Sequence, residues 1–331
     1  MAATIKDVAK LSGVSKTTVS RAFVEPSNVN AETRDRIYEA AKVLNYTPDA
    51  IARAMVRKRT DNIAFIIYER QYPVVLNPFY SPVFEAVLQT AAKGGYGLFV
   101  SSDKDLRLPS GELYMKKQMD GVILAGQTDT DTVLSLRKQN IPFVLLNNKL
   151  DMDGLVSVTT DHYGGAVQAM EHLIGRGHRK IGMLAGRFSP HTYSMRYNAY
   201  ADTLRQNDIA LDYRFIQTVE PTVEDAIRCA APLFSLPDRP TALFCTNDTI
   251  AVGAVKAALR MGLRVPQDIA VIGYDDSELC KMIEPELTSI RVDTQMLGRL
   301  AAESLISIIN NQPVAPGEML VKTELIVRQT T

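Results

Sequence analysis

The 331-residue chain has no run of about 18 apolar residues, the length that a transmembrane helix needs. Its first residues, MAATIKDVAKLSG, lack the basic segment and the following apolar segment of a secretory signal. There are three cysteines, an odd number without the spacing of a metal site: Cys229, Cys245 and Cys280. These absences predict a cytoplasmic protein that does not associate with membranes, and whose cysteines are buried as small apolar residues.

Motifs of common enzyme and cofactor sites are also missing. The chain has neither the Gly-Lys-Ser loop that binds phosphates nor the glycine fingerprint that binds dinucleotides. The aspartate pairs 151/153 and 275–276 are typical of a turn and of a ligand rim rather than of catalytic carboxylates. The histidines show no metal-ligand spacing: His162, His172, His178 and His191. We therefore predict a protein that is not an enzyme and that has no cofactor or metal.

The formal net charge is zero, since Lys+Arg and Asp+Glu both number 37, but the charges are unevenly distributed. Residues 1–60 hold 11 basic and 6 acidic residues, a net charge of +5; the rest of the chain holds 26 and 31, a net charge of −5. A basic N-terminal segment on a mildly acidic body indicates a polyanionic partner for that segment. A solvated surface would give the same imbalance, so charge alone leaves both interpretations open.

Residues 4–23, TIKDVAKLSGVSKTTVSRAF, predict two short helices with a turn at Gly13. Thr4 and Ser15 are expected to cap these helices, and glycine tolerates the positive φ of a sharp turn. A third helix after Asn30 completes a three-helix head, although any short helical hairpin with a central glycine gives this pattern. In a helix-turn-helix, the first residues of the second helix contact base edges in the major groove. The candidate major-groove residues are Ser15, Lys16, Thr17, Thr18, Arg21 and Asn28.

From residue 61 onward, short apolar strands alternate with amphipathic helices. Segments such as NIAFIIYE, DGVILAG and KIGMLAG are continuously apolar, as are strands that are buried on both faces. Repeated strand–helix–strand units imply parallel sheets with helices on both faces, and hence an α/β fold. A break near residues 155–160 divides the units into two similar lobes. Near its C-terminal end the chain returns to both lobes, which predicts a hinge between them.

Polar and aromatic residues follow several of these strands. In open α/β sheets ligands bind beyond the carboxyl ends of the strands, and two facing lobes would place those ends around one cleft. Amides, a guanidinium and a carboxylate in such a cleft match a polyhydroxylated ligand, and aromatic rings can stack on its apolar face. Any one of these side chains could instead cap a helix or form a bond within a loop. The candidate effector-binding residues are Phe79, Tyr80, Asn147, Arg196, Asn247 and Asp275.

The segments DVAKLSGVSKTTVSRAF and NVNAETRDRIYEAAKVLNYTPDAIAR resemble the DNA-binding head of the lactose/galactose (LacI/GalR-type) repressor family. The resemblance continues through TALFCTNDTIAVGAVKAALRMGLRVPQDIAVIGYDD and PELTSIRVDTQMLGRLAAESL, essentially to the C-terminal end. It implies a helix-turn-helix DNA-binding domain at 1–46, a hinge helix and linker at 47–60, and a ligand-binding and dimerisation core at 61–331. The core would resemble periplasmic binding proteins, with lobe one at 61–159 and 290–320 and lobe two at 160–289 and 321–331.

The same resemblance implies roles for individual cleft residues. Arg196, Asn247 and Asp275 match positions that hold a sugar or a purine in the family. Asn147 stands where many members carry aspartate, so recognition of a ligand hydroxyl is expected to differ there.

The hinge segment TPDAIARAMVRKRT is expected to form a helix only against DNA and its dimer mate, because so short a helix is unstable alone. Apolar wedges between base steps are a known minor-groove device. Met55 stands where the family usually has a leucine wedge; alternatively, it packs on the head. The candidate minor-groove residues are Ile51, Ala52, Arg53 and Met55.

Together these features predict a ligand-responsive transcriptional repressor that binds a near-palindromic operator in double-stranded DNA as a homodimer. A small effector between the lobes, expected to be a sugar or glycoside, would change the affinity for DNA through lobe rotation. A dimer is expected rather than a tetramer, because no heptad zipper follows Thr331. Two alternatives stay open: a regulator that a purine or sugar phosphate activates as co-repressor, and a stand-alone solute-binding module, against which the basic head argues.

Overall fold

The computed structural model describes residues 3–47, 59–68, 73–106, 119–186 and 190–331. Its N-terminal part is a three-helix head, with α1 at Ile5–Ser12, α2 at Lys16–Val24 and α3 at Ala31–Val43. Gly13 ends α1 with a left-handed φ of 70°, and the Ser15 hydroxyl accepts a hydrogen bond from Thr18 N at 3.1 Å. The turn and the cap of α2 therefore form where the sequence predicts them.

The head has an apolar core of its own. Each of its three helices turns one apolar face inward, and these faces bury Val8, Val19 and Ile37 completely. Burial of a Val or Ile side chain stabilises a fold by roughly 1.5–3 kcal/mol. The spacing of these residues along the helices thus accounts for a compact unit of fewer than 50 residues.

The first lobe is an α/β unit whose elements come mainly from residues 62–160. Its strands form one six-stranded sheet in which all pairings are parallel. Its elements are β1 Asn62–Ile67, α4 Tyr80–Lys93, β2 Gly97–Ser102, β3 Gly121–Ala125, α5 Thr130–Lys138, β4 Phe143–Leu146, β5 Val156–Thr160 and, from late in the chain, β11 Gly317–Val321. The strand order is β11-β5-β4-β3-β1-β2.

The second lobe repeats this architecture. Its elements are α6 His162–Gly175, β6 Ile181–Gly186, α7 Pro190–Gln206, β7 Ile216–Val219, α8 Val223–Phe234, β8 Ala242–Cys245, α9 Asp248–Arg260, β9 Ala270–Asp275, α10 Leu279–Met282, β10 Thr288–Val292 and β12 Thr323–Ile326. The strand order is β12-β10-β9-β8-β6-β7, and only β12 runs antiparallel to its neighbour. Strand β12 follows β11 after one residue and starts beside Val292, where β10 ends, so it runs back along β10 in the opposite direction.

Helix α11, Thr294–Ile309, belongs to the first lobe although it follows β10 of the second. It packs against α4 so closely that a Cβ at Gly298 would clash with Val83 O and stand 2.8 Å from Ala86 Cβ. The chain therefore crosses between the lobes three times: after Thr160, after Val292 and after Val321.

These crossings lie slightly later than the lobe bounds predicted at 290 and 321. Strand β10 pairs with β12 as far as Val292, and β11 pairs with β5 as far as Val321, so each strand remains in its sheet past the predicted bound. The predicted fold class, a helical head followed by two parallel-sheet lobes, is confirmed. The three cysteines are buried and unpaired, as predicted. Within the described ranges, none of the helices has the length and apolar character of a membrane span.

Candidate functional site

A cavity of about 350 Å³ lies between the carboxyl ends of the strands of the two sheets. Its walls come from the loops after β1, β3 and β4 of the first lobe and after β7, β8 and β9 of the second, together with α7. The structure brings together all six predicted effector-binding residues in these walls: Phe79, Tyr80, Asn147, Arg196, Asn247 and Asp275. The sequence prediction missed other polar and aromatic lining residues: Tyr68, Asn77, Gln127, Thr192, Glu220, Thr222, Thr249 and Ser277. Tyr68, Gln127 and Glu220 follow strands directly or by one residue, so the strand-end rule would have found them.

One wall of the cavity is aromatic. The rings of Phe79 and Tyr80 meet edge to face with centroids 4.9 Å apart. Asn77 fixes this pair, because its side-chain oxygen accepts hydrogen bonds from Phe79 N at 3.1 Å and from Tyr80 N at 2.9 Å. The rings thus present a rigid apolar surface at the start of α4.

Asn147 presents a buried acceptor to the cavity. It directly follows β4 and has a left-handed φ of 54°, which asparagine tolerates better than most residues. The residue is 8% exposed, and its side-chain oxygen has no hydrogen-bond partner within the described residues. Its Nδ2 lies 3.5 Å from the Tyr80 hydroxyl. Because an unsatisfied buried acceptor costs free energy, this oxygen is suited to a ligand donor.

Arg196 supplies a buried positive charge, with 3% of its surface exposed. Its Nη1 donates to Thr246 O, and its Nη2 lies 3.8 Å from Asp275 Oδ1. Its Cζ stands 3.7 Å from the ring centroid of Tyr274, in cation–π geometry. The carboxylate, the carbonyl and the ring together compensate the guanidinium and fix its plane.

Two carboxyl groups lie near one another on this side of the cavity: Asp275, partly buried beside Arg196, and Asp248, which is buried. Burial raises the pKa of Asp275 well above its ordinary value; Arg196 opposes that shift, and the neighbouring Asp248 adds to it. Asp275 has a φ of 111° and Asp276 a φ of 54°, so the backbone of this turn is strained. Asp248 holds the turn, since its carboxylate accepts hydrogen bonds from Ser277 N at 2.7 Å and from Ser289 Oγ at 2.6 Å.

The two polar atoms of the Asn247 amide have different surroundings. Its side-chain oxygen caps α9 by accepting a hydrogen bond from Ile250 N at 2.8 Å. Its Nδ2 makes no hydrogen bond within the described residues, so a donor is left on the cavity side. The cap and the cavity contact are therefore compatible in one side chain.

His162 lies behind Arg196 and was not assigned a role from the sequence. Its Nδ1 is 3.3 Å from Arg196 Nη2, and its Nε2 is 3.4 Å from Thr192 Oγ1. Burial lowers the pKa of His162 well below its ordinary value, and the positive charge of Arg196 lowers it further. The imidazole is therefore neutral, and Nδ1 accepts the hydrogen bond because a guanidinium can only donate. No local pattern in the sequence distinguishes this histidine from a structural one.

The predicted major-groove residues divide into three groups. Lys16, Thr17 and Arg21 are exposed on α2. Ser15 and Thr18 pair with each other through hydroxyls 2.8 Å apart at the start of that helix. Asn28 lies beyond α2, in the 3₁₀ turn Pro26–Asn28. The predicted minor-groove residues lie outside the described residues: Ile51, Ala52, Arg53 and Met55.

Comparisons with known proteins cover the whole chain. The family profile described as "Bacterial regulatory proteins, lacI family" matches residues 4–49, and that described as "Periplasmic binding protein-like domain" matches residues 170–331. The probable HTH-type transcriptional repressor ExuR of Bacillus subtilis (strain 168) is 31% identical over 329 residues, which are 99% of this chain and 98% of ExuR.

Two solved structures are similar over the same length. The lac repressor dimer bound to operator and the anti-inducer ONPF superimposes with a TM-score of 0.85 at 27% identity, covering 100% of this chain and 99% of that one. The complex of the transcriptional regulator CelR with cellobiose superimposes with a TM-score of 0.76 at 28% identity, covering 99% of this chain and 100% of that one. The sequence resemblance is thereby confirmed. The chain belongs to the lacI family of bacterial regulatory proteins.

Proposed function

We propose that this protein is a transcriptional repressor that binds operator DNA as a homodimer through its helical head, and whose affinity for DNA changes when a small effector enters the cavity. The observation that carries this proposal is the convergence of six predicted side chains from both lobes on one cavity, in a chain whose N-terminal part is a helix-turn-helix. The head would comprise residues 1–46, the hinge 47–60 and the core 61–331. Because the cavity contacts both lobes, a ligand in it would favour one lobe arrangement over another.

The effector that fits this cavity best is a sugar or glycoside. A hydroxyl group both donates and accepts hydrogen bonds, and the cavity offers both kinds of partner. Asn147 Oδ1 is an acceptor without a partner in the described residues, and Asn247 Nδ2 is a donor without one. The aromatic wall of Phe79 and Tyr80 suits the apolar face of a sugar ring. The related regulator CelR was solved with cellobiose.

A purine effector is the second candidate, because the same aromatic wall can stack on a planar base. In either case the buried carboxyl groups would bind and orient a ligand rather than catalyse a reaction. We propose a regulatory role without catalysis, exercised in the cytoplasm, where chromosomal DNA is found.

Operator binding across a panel of effectors tests the proposal. A preferred duplex is first selected from a random DNA pool with the full-length protein, and its affinity is measured by fluorescence anisotropy. The measurement is repeated with ribose, sucrose, cellobiose, glucose 6-phosphate and adenine. We expect a change in affinity with at least one sugar; a change only with adenine would assign the purine class. Sequence-independent binding, or binding that does not weaken with added salt, would refute the role in DNA recognition.

The major-groove assignment is tested with two variants that remove the same charge. Lys16→Ala combined with Thr17→Ala should reduce discrimination between the selected duplex and its single-base variants, since each good base contact is worth about 1–3 kcal/mol. Lys10→Ala removes an exposed cation from α1 and should weaken binding to all duplexes alike. Equal discrimination by the double variant and the wild type would remove Lys16 and Thr17 as base-reading residues.

A further inference from the structure

Tyr274 joins the cavity to the boundary between the lobes. It is the penultimate residue of β9 and is completely buried. Its ring lies against the Arg196 guanidinium, with 3.7 Å between Cζ and the ring centroid. At the far end of the ring, its hydroxyl donates a hydrogen bond to Asp161 O at 3.1 Å. One rigid side chain therefore contacts the cavity arginine through its ring and the backbone carbonyl of Asp161 through its hydroxyl.

Asp161 occupies the first crossing between the lobes. It follows β5 directly and caps α6, where its Oδ1 accepts a hydrogen bond from Gly164 N at 2.8 Å. Its own N–H donates to Val321 O at 2.9 Å, and Val321 is the last residue of β11 before the third crossing. Asp161 thus ties two of the three crossings together, and the Tyr274 hydroxyl is bonded to the carbonyl of that same residue.

The space around this hydroxyl is tightly filled. A Cβ at Gly165 would clash with Tyr274 Oη and stand 2.9 Å from Thr323 Oγ1. Thr323 begins β12, and its hydroxyl also accepts a hydrogen bond from Gln168 Nε2 of α6 at 3.2 Å. A closely packed contact passes a displacement on to its neighbours, because no void is available to absorb it. Movement of the Tyr274 ring would therefore displace residues at the first and third crossings.

We propose that Tyr274 is a positioning residue that couples the effector-binding Arg196 to the joint between the lobes. Its ring packs on the guanidinium and would move with it. Its hydroxyl is bonded to Asp161 O, and Asp161 N is in turn bonded to Val321 O. This inference rests on the proposed function in one respect: an effector must contact Arg196 for the coupling to be used. Burial raises the pKa of the Tyr274 phenol, so the hydroxyl keeps the proton that it donates to Asp161 O.

The coupling contact can be tested without any effector. Tyr274→Phe keeps the ring against Arg196 and removes only the hydroxyl, so Asp161 O loses one of its donors. Hydrogen exchange followed by mass spectrometry on a peptide spanning residues 158–166 would report the loosening of the joint. We expect exchange roughly fivefold faster than in the wild type, the factor that corresponds to one neutral hydrogen bond.

Tyr200→Phe is the matched control. Tyr200 is also completely buried in the second lobe, and its hydroxyl donates to Ile181 O at 2.7 Å, away from the cavity and the crossings. The chemical change is identical, but exchange in residues 158–166 should stay at the wild-type rate. Equal exchange in Tyr274→Phe and the wild type, or equal acceleration by both variants, would overturn the inference.

A second arm measures coupling with effector present. Sugars from the same panel are titrated by calorimetry, and operator affinity is measured with and without each sugar. If Tyr274 couples the sites, Tyr274→Phe binds the active sugar with a Kd within about threefold of the wild type, while the change in operator affinity falls by about fivefold. A full operator response in this variant would refute the coupling. If no panel member changes operator binding by the wild type, the proposed effector class fails, and the exchange experiment still decides the role of Tyr274.

Gly165→Ala offers an independent perturbation of the same contact. The added methyl group would push the Tyr274 hydroxyl away from Asp161 O, although the hydroxyl itself stays on the side chain. Exchange in residues 158–166 should rise as it does in Tyr274→Phe. Exchange in the double variant should be little faster than in either single variant, since both substitutions remove the same hydrogen bond. Additive effects would show that the two residues act separately and would count against the proposed joint.

Discussion

The carboxyl group of Asp248 should make the stability of the second lobe depend on pH in the direction opposite to ordinary acid denaturation. This residue is 1% exposed at the start of α9. Burial raises its pKa from 3.8 to about 6, although hydrogen bonds from Ser289 and Ser277 favour the charged form. The folded protein therefore binds this proton more tightly than the unfolded chain does. The resulting stabilisation is complete below the unfolded pKa and is lost as the pH rises through about 6.

The magnitude follows from the two pKa values. A pKa of 3.8 in the unfolded chain and about 6 in the folded protein corresponds to about 3 kcal/mol between the fully protonated and fully ionised limits. Of this, about 1.4 kcal/mol falls between pH 5 and pH 8. Asn at this position carries no charge at any pH, so Asp248→Asn should gain that amount relative to the wild type as the pH rises over the range. Loss of the Asp248 charge also lowers the pKa of Asp275, which acts in the same direction.

Urea unfolding at several pH values between 5 and 8 measures this difference. Circular dichroism is the suitable signal, because the chain contains no tryptophan. The hydrogen bonds lost in Asp248→Asn change its free energy of unfolding by the same amount at every pH. Loss of the titrating carboxyl group instead changes how steeply the free energy of unfolding varies with pH. Ser289→Ala, which removes a donor that lowers the pKa of Asp248, should make the slope steeper than in the wild type. Parallel pH profiles for the wild type and Asp248→Asn would refute the raised pKa.

Two further predictions concern the cavity and the packing. Arg196→Met removes the cation beside Asp275, and because the pKa of Asp275 is already raised its carboxyl can bind a proton instead, so we expect the free energy of unfolding to fall by about 1–3 kcal/mol. The effector response should be lost, while the effector-free variant should still bind operator. Adding Asp275→Asn should restore part of the stability, and a single variant that still responds to effector would contradict the assignment. Gly298→Ala places a methyl group against Val83 O, which should cost about 1–3 kcal/mol by urea unfolding. Gly175→Ala, at the end of α6 with open space around it, should be neutral or stabilising, so equal losses in both variants would remove packing as the cause.

Local signals in the sequence were enough to predict the secondary structure and the architecture. Gly13 and Ser15 have conformational and capping preferences that act within a few residues, so the turn and the start of α2 follow from sequence alone. The alternation of buried strands and amphipathic helices likewise predicts parallel sheets, since connections between parallel strands need a helix. The rule that ligands bind at the carboxyl ends of strands then selected six residues, and all six line one cavity.

The sequence determined the folding units and the candidate side chains, because those depend on short-range patterns that each segment carries by itself. Only the tertiary structure decided how these side chains act on one another. Tyr274 and Asp161 are 113 residues apart, and the contact between them exists because three crossings bring two sheets together. The tautomer of His162 and the raised pKa of Asp248 likewise depend on burial and on charges supplied by distant segments. Solvation and Coulomb interactions act through space rather than along the chain, so no local pattern encodes them.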